Sequence, residues 1–151
     1  MNSSVYLCKK FFIAQMVFLT RIEHFNAAHK LYNPEWSKEE NEEVFGKCAN
    51  ENWHGHNYEL HVTVKGEVAR DTGFVINAQI LSKLIKQYII EELDHKNLNL
   101  DVEFMKEKLC SAENLAMAIW QKLISHLPEG VNMHSVKLYE TPKIFVEYFG
   151  N

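Results

Sequence analysis

Cysteine is scarce in this chain. Cys8, Cys48 and Cys110 are an odd number with no paired spacing, which argues against a disulfide scaffold and suits a reducing compartment. A basic cluster is also missing. The 16 lysines and arginines are scattered and the net charge is −4, so neither nucleic acid nor an anionic membrane is the expected partner. No apolar run approaches the ~20 residues that cross a bilayer. Phe11 to Leu19 follows Lys9 and Lys10 as the apolar part of a signal peptide would, but Gln15 interrupts it and no small-residue cleavage site follows. We read residues 1–15 as a loose N-terminal extension, upstream of a start at Met16, and residues 16–151 as one domain of a cytoplasmic protein. Repeats, low-complexity tracts and linkers are absent. At 151 residues, 46% hydrophobic and 24% charged, the chain can bury one substantial core.

The most informative segment is Cys48-Ala-Asn-Glu51-Asn-Trp-His54-Gly-His56-Asn-Tyr58. Tyr58, Leu60, Val62 and Val64 share even parity with His54 and His56, whereas Asn57, Glu59, His61, Thr63 and Lys65 are odd. Residues two apart on a strand project to one face, so both imidazoles point to the apolar side of a sheet. A neutral histidine without a partner is poorly accommodated there. A shared metal ion satisfies both, and ordinary hydrogen bonds are the plainer alternative.

Phe18 to Ala28 reads as a first strand ending at His29, and His54 to Val68 as a second. Between them lies a long connection with one helical turn over Lys38 to Val44. Ala78 to Leu93 has apolar residues at helical spacing behind Asn77 as N-cap. A second helix starts at Ser111, with Glu113 in its first turn and a stripe from Ala116 to Leu127, and Pro128 ends it. Ser135 to Thr141 and Ile144 to Phe149 form a hairpin about Pro142. The order β-β-α-α-β-β predicts an α+β fold: a two-layer antiparallel sheet with two helices on one face. The long polar odd face of the second strand would suit a closed multi-subunit barrel, which also removes exposed sheet edges.

His29 is the natural third ligand beside His54 and His56. Three histidines with one open position are a catalytic zinc arrangement. Cys48 lies six residues before His54 in a loop that must fold back near such a metal, where its thiolate could act as nucleophile or base. Asp94-His95 pairs a carboxylate with an imidazole and could relay a proton. Glu140 has the parity of Val136 and Leu138, which sets a carboxylate on the apolar face. Either a lysine or arginine of the core pairs with it, or a ligand with two adjacent N–H groups does. The remaining histidines, His24, His61, His126 and His134, read as surface or packing residues. A cupin-like set of His54, His56 and Glu59 is disfavoured, because Glu59 has the opposite parity. A non-catalytic barrel with structural zinc is the other alternative.

Phe25-Asn-Ala-Ala-His29, Val44-Phe-Gly-Lys-Cys48, His54-Gly-His56-Asn-Tyr58, Leu93-Asp-His95-Lys-Asn-Leu98-Asn-Leu, Ala112-Glu-Asn114 and Tyr139-Glu140-Thr together resemble the 6-pyruvoyl-tetrahydropterin synthase family, which includes the 6-carboxytetrahydropterin synthases of queuosine biosynthesis. The resemblance runs from about Phe18 to the C-terminus. It implies a tunnelling fold assembled as a homo-oligomer, a hexamer of two trimers, acting on a small pterin, 7,8-dihydroneopterin triphosphate. It implies Zn2+ on His29, His54 and His56, Cys48 as the proton-abstracting base, Asp94 and His95 as its relay, and Glu140 as the pterin anchor. Glu113 matches the family's helix start, which implies substrate contacts from Ser111 and Glu113, although Ser111-Ala112 departs from the threonines often found there. Glu51, three residues before His54, stands where the branch making 6-hydroxymethyl-dihydropterin resembles a replacement of the cysteine by glutamate. Both are present here, so either the side chain is cleaved as well as phosphate eliminated, or Glu51 is a solvated loop residue, and the product is left open.

Overall fold

The computed structural model describes residues 15–150. Of the expected N-terminal extension only Gln15 falls among them, and the rest lies outside the described residues. Five strands form one sheet: β1 (Met16–His29), β2 (His54–Glu67), β3 (Lys96–Asn97), β4 (Asn132–Thr141) and β5 (Ile144–Tyr148), in the order β3-β1-β2-β4-β5. The long pairs follow the expected antiparallel pattern, with β1 against β2, β2 against β4, and β4 against β5. The sheet is nevertheless mixed rather than antiparallel throughout. Parallel β3 lies at the edge of β1, with Ala27 opposite Lys96 and Ala28 opposite Asn97. Two residues carry no periodicity, so nothing local marked that strand.

Helix α1 (Lys38–Phe45) occupies the long connection between β1 and β2, slightly longer than the single turn expected. Its N-cap Ser37 and Glu40 exchange side-chain hydrogen bonds with each other's backbone, a complete capping box. Helix α2 (Ala78–Ile85) starts behind Asn77, whose side chain accepts from the Gln79 N–H at 2.8 Å. It continues through a π-helical segment, Lys86–Ile90, into a last turn at Glu91–Leu93. Helix α3 (Ala112–Ile124) starts behind Ser111 as expected but stops short of Leu127. A tight turn follows, with the His126 N–H donating to the Leu123 carbonyl at 2.9 Å. Pro128 disfavours helical geometry at Leu127, so the stripe outlasts the helix.

The period-2 pattern of β2 decides which face is buried. Tyr58, Leu60, Val62 and Val64 meet Leu81 and Ile85 of α2, Ile89 of its π-helical continuation, and Leu115, Ile119 and Leu123 of α3 in one core. Fully burying a side chain of this size contributes roughly 1.5–3 kcal/mol. The opposite face, with Thr20, His24, Asn26, Asn57, Glu59 and His61, stays partly or fully exposed. One carboxylate on the core side has an explanation. Burial pushes Glu23 up, but the Ser82 hydroxyl (2.6 Å) and Arg21 Nε (2.8 Å), with Lys86 nearby, outweigh it and hold the group ionised. That contact ties α2 to β1. Among the described residues, no helix is long and apolar enough to cross a membrane.

Candidate metal centre and active site

The antiparallel register sets His29 directly opposite His54, at the end of β1 and the start of β2. His56, two residues on, shares their face. The ring centroids of His29 lie 4.5 Å from His54 and 5.1 Å from His56, and those of His54 and His56 are 5.0 Å apart. One nitrogen from each ring falls within 4.8 Å of the others, so the three histidines are positioned to bind a metal. Gly55 between them has its own reason. A Cβ there would sit 3.1 Å from the Ala27 carbonyl, tighter than side chains usually tolerate.

The chemistry of the three rings suits a cation. His29, 1% exposed, donates from Nδ1 to the Cys110 carbonyl at 2.7 Å, which leaves Nε2 with a lone pair. Among the described residues, that buried Nε2 makes no hydrogen bond, and neither does Nδ1 of His54. Burial is the largest influence on all three rings and lowers their pKa values. Neighbouring imidazoles push the same way, and Glu140 opposes them. Neutral rings with unpaired nitrogens are what a metal requires of histidine.

Glu140 joins this group through a strand irregularity. Tyr139 pairs with Phe145 and Thr141 with Ile144, so Glu140 is skipped in the β4–β5 ladder. Bulges of this kind re-aim a side chain. Its Oε1 lies 3.4 Å from His29 Nε2 and 3.8 Å from His56 Nε2, and among the described residues no lysine or arginine pairs with it. The apolar-face position expected from parity is correct.

Cys48 lies in a 3-10 turn, Gly46–Ala49, between α1 and β2. The turn folds back as expected, because the Leu31 N–H donates to the Cys48 carbonyl at 2.8 Å, two residues past His29. Buried Asn41 organises the connection, accepting from the Asn33 N–H (2.7 Å) and donating to the carbonyls of Asn33 and Ser37 (2.9 Å each). Glu51 is exposed on the same loop and lines a cavity of about 800 Å³ with Lys30, Lys47 and Asn52.

Asp94 and His95 contact each other, Oδ2 to Nδ1 at 2.9 Å. Both are anchored on β1, since Asp94 Oδ1 accepts from the Asn26 N–H (2.8 Å) and the His95 N–H donates to the Asn26 carbonyl (2.6 Å). The Asn26 N–H, then His95, hold the Asp94 carboxyl below its usual range against the opposing effect of desolvation. His95 adopts a left-handed backbone (φ 60°) and is largely exposed. Among the described residues, no hydrogen bond or ion pair joins this dyad to Cys48 or to the three imidazoles. Ser111 caps α3, its hydroxyl accepting from the Asn114 N–H at 3.3 Å, and Glu113 is exposed in the first turn.

Glu59 faces away from the metal group, as its parity requires, and bridges His24 (3.2 Å) and His61 (2.6 Å) on the open face. His126 stacks on Tyr88 and His134 lies against Phe18, so the four remaining histidines are surface or packing groups. Two participants escaped sequence reasoning. The Cys110 carbonyl orients His29 from a remote segment, while burial pushes its own thiol up to about 11. Tyr58, taken only as a core residue, has a buried hydroxyl with no partner. Its parity with His54 and His56 was the available signal.

A family model described as 6-pyruvoyl tetrahydropterin synthase matches residues 18–151. The chain is 44% identical over 135 residues to the 6-pyruvoyl tetrahydrobiopterin synthase of Drosophila melanogaster, covering 89% of this chain and 80% of that one. It is 46% identical over 126 residues to that of Homo sapiens, covering 83% and 86%. The solved structure of Caenorhabditis elegans 6-pyruvoyl tetrahydropterin synthase superposes with a TM-score of 0.84 at 38% identity, over 91% of this chain and 97% of that one. The chain therefore belongs to the 6-pyruvoyl tetrahydropterin synthase family and is an enzyme of the pterin synthase type.

Proposed function

We propose that this enzyme converts 7,8-dihydroneopterin triphosphate to 6-pyruvoyl-tetrahydropterin, with zinc held by His29, His54 and His56. The observation that carries the reading is the convergence of three neutral imidazoles, two with buried unpaired nitrogens, beside the carboxylate of Glu140. Bound there, zinc supplies Lewis acidity toward the side-chain oxygens of the substrate, which makes the adjoining C–H more acidic. Glu140 accepts two adjacent N–H groups of the pterin ring and fixes its orientation. Cys48 takes the carbon-bound proton as a thiolate base, triphosphate is eliminated, and tautomerisation oxidises the side-chain carbinols to carbonyls while the same hydrogens reduce the pterin ring, so no external reductant is needed. The Asp94–His95 dyad passes protons to and from that base. Ser111 and Glu113 contact the substrate from the start of α3.

The working form in this proposal is a cytoplasmic homo-oligomer, a hexamer of two trimers. A closed barrel of sheets would cover the polar open face and pair the free edges of β3 and β5. A second reading is cleavage of the side chain to a 6-hydroxymethyl pterin by Glu51. It is favoured by one observation, that Cys48 and Glu51 stand three residues apart on one connection. Incubation of zinc-loaded protein with 7,8-dihydroneopterin triphosphate, followed by mass analysis, separates these readings. Triphosphate with the 6-pyruvoyl product supports the first and a 6-hydroxymethyl product the second. A 6-carboxy product moves the chain to that branch, and unchanged substrate overturns the enzymatic reading.

A further inference from the structure

Chain neighbours of the three-histidine group and of Cys48 line one cavity, of about 800 Å³. Lys30 follows His29, Lys47 precedes Cys48, and Asn52 lies two residues before His54. Consecutive Cα atoms stand only about 3.8 Å apart, so the cavity borders the candidate centre. The hydrogen bond from the Leu31 N–H to the Cys48 carbonyl, at 2.8 Å, ties the two stretches that bear the lysines to each other. The volume lies in the range of small-molecule sites.

The charge in this cavity runs against that of the chain. Three lysines, Lys30, Lys38 and Lys47, meet two glutamates, Glu42 and Glu51, in a protein whose net charge is −4. Lys38 pairs with Glu42 at 3.7 Å along α1, and among the described residues no carboxylate pairs with Lys30 or Lys47. Lys30 is nevertheless held in place. Its N–H donates to the side-chain oxygen of Asn99 (3.0 Å), and its carbonyl accepts from the Asn99 amide (3.1 Å). Its Nζ lies 4.5 Å from the Trp53 ring centroid and 5.2 Å from that of Tyr32, within the reach of cation–π attraction. Trp53 itself adopts a left-handed backbone (φ 66°), a conformation that bulky residues rarely take. Asn50 and Asn52 add side-chain amides to the lining. Positioned ammonium groups without a counter-ion, inside a cavity, are suited to an anionic ligand.

We propose that this cavity takes the triphosphate of the substrate, with Lys30 and Lys47 as its phosphate-binding residues. The proposal rests on the pterin synthase reading above and deepens it. In 7,8-dihydroneopterin triphosphate the phosphates are carried by the side-chain carbon next to the two hydroxyls that zinc would hold. With the ring at Glu140 and the hydroxyls at the histidines, the polyanion extends beyond the metal group, and the unpaired lysines lie on the stretches that flank it. Lysine acts on phosphate as a mobile point charge, which suits a flexible chain of phosphates better than a planar fork does. A pterin without phosphates places nothing in the cavity and is bound less tightly.

The test uses zinc-loaded Cys48→Ala protein, in which the expected loss of turnover preserves the ligand. Calorimetric titration compares 7,8-dihydroneopterin triphosphate with 7,8-dihydroneopterin. The triphosphate is expected to bind more tightly by about tenfold or more, and Lys30→Gln and Lys47→Gln each to weaken it by about 10–100-fold, as for loss of a hydrogen bond to a charged group. Affinity for 7,8-dihydroneopterin, zinc content and Tm stay as they were. Lys106→Gln, which removes one positive charge outside the cavity, leaves both affinities unchanged. Undiminished triphosphate affinity in either cavity variant overturns the proposal. So does an equal loss for the two ligands, which would make the lysines structural, and so does a triphosphate that binds no tighter than 7,8-dihydroneopterin. If 7,8-dihydroneopterin fails to bind while the triphosphate still binds through the two lysines, the pterin reading falls and the polyphosphate site stands. If neither ligand binds, both are overturned.

Discussion

His29 and Cys110 stand 81 positions apart in the chain, and the imidazole Nδ1 of the first donates to the carbonyl of the second at 2.7 Å. That bond selects the tautomer that leaves Nε2 free, and it ties the end of β1 to the residue preceding the α3 cap. The three-histidine group is thus oriented by the segment leading into α3 as well as by the strands that bear it. Partners that orient a ligand in this way commonly matter 10–100-fold, by order of magnitude, in metal affinity.

His29→Ala removes the most buried of the three rings and one of the two unpaired nitrogens. We expect zinc affinity to fall by more than about 100-fold. Competition against a chromophoric chelator measures it, with circular dichroism as the check on folding. Stoichiometric zinc in the variant would show that His54 and His56 suffice.

The pH dependence follows from three lowered imidazole pKa values, with burial the largest cause in each. The unfolded chain titrates at the ordinary histidine value of about 6.5. Below it the unfolded state binds more protons than the folded one. Ligand-free stability is therefore full above about pH 6.5 and is lost as pH falls through the lower folded values. Zinc needs the same neutral rings, so its affinity declines in the same direction. Thermal melts and chelator competition between pH 7.5 and 5, a range set around that histidine value of about 6.5, check both trends. A Tm that rises on acidification would contradict the assignment.

Cys48→Ala is expected to keep zinc bound and to reduce turnover by about 10²–10⁴-fold, the usual contribution of a positioned base. Glu51→Ala in the same assay leaves triphosphate release near wild type if Cys48 is the only base. Full activity of Cys48→Ala would favour the non-catalytic barrel considered from the sequence. Equal loss in the two variants would assign the base jointly.

Glu140→Gln keeps the shape and removes the charge. Hydrogen bonds to a charged group are worth about 1.5–3 kcal/mol, so pterin affinity should fall about 10–100-fold with zinc retained. Titration of zinc-loaded variant with 7,8-dihydroneopterin measures the change. A loss of zinc equal to that of His29→Ala would instead make Glu140 a metal ligand.

Leu60→Ala tests the layer beneath the site. Leu60 is fully buried between sheet and helices, and the change should cost about 2–5 kcal/mol in chemical denaturation. A cost below about 1 kcal/mol would mean that the core relaxes around the vacancy.

Much of the centre was legible because strand geometry is local. A period of two sets His54, His56 and Tyr58 on one face, and the same rule carries Glu140 to the core side. Helix α3 was readable from Ser111 because a cap is a contact between residues three apart. The two-residue β3, the π segment inside the second helix, and the early end of α3 were not. Each depends on how the chain packs beyond its neighbours, and the strand and π segment leave no repeating pattern. The Asp94–His95 contact was readable as a dipeptide, whereas its anchorage on Asn26 arises from strand docking.

By itself, the order of residues determined which side chains could share a face, where the caps lie, and that three histidines bracket the β1–β2 connection. Tertiary structure decided the rest. Register brought His29 opposite His54, strand pairing set Glu140 within reach of the His29 and His56 rings, and a carbonyl from a distant segment chose the tautomer of His29. Side-chain direction along a strand is set by covalent geometry. Which groups meet across strands depends on pairing and packing that no local pattern encodes.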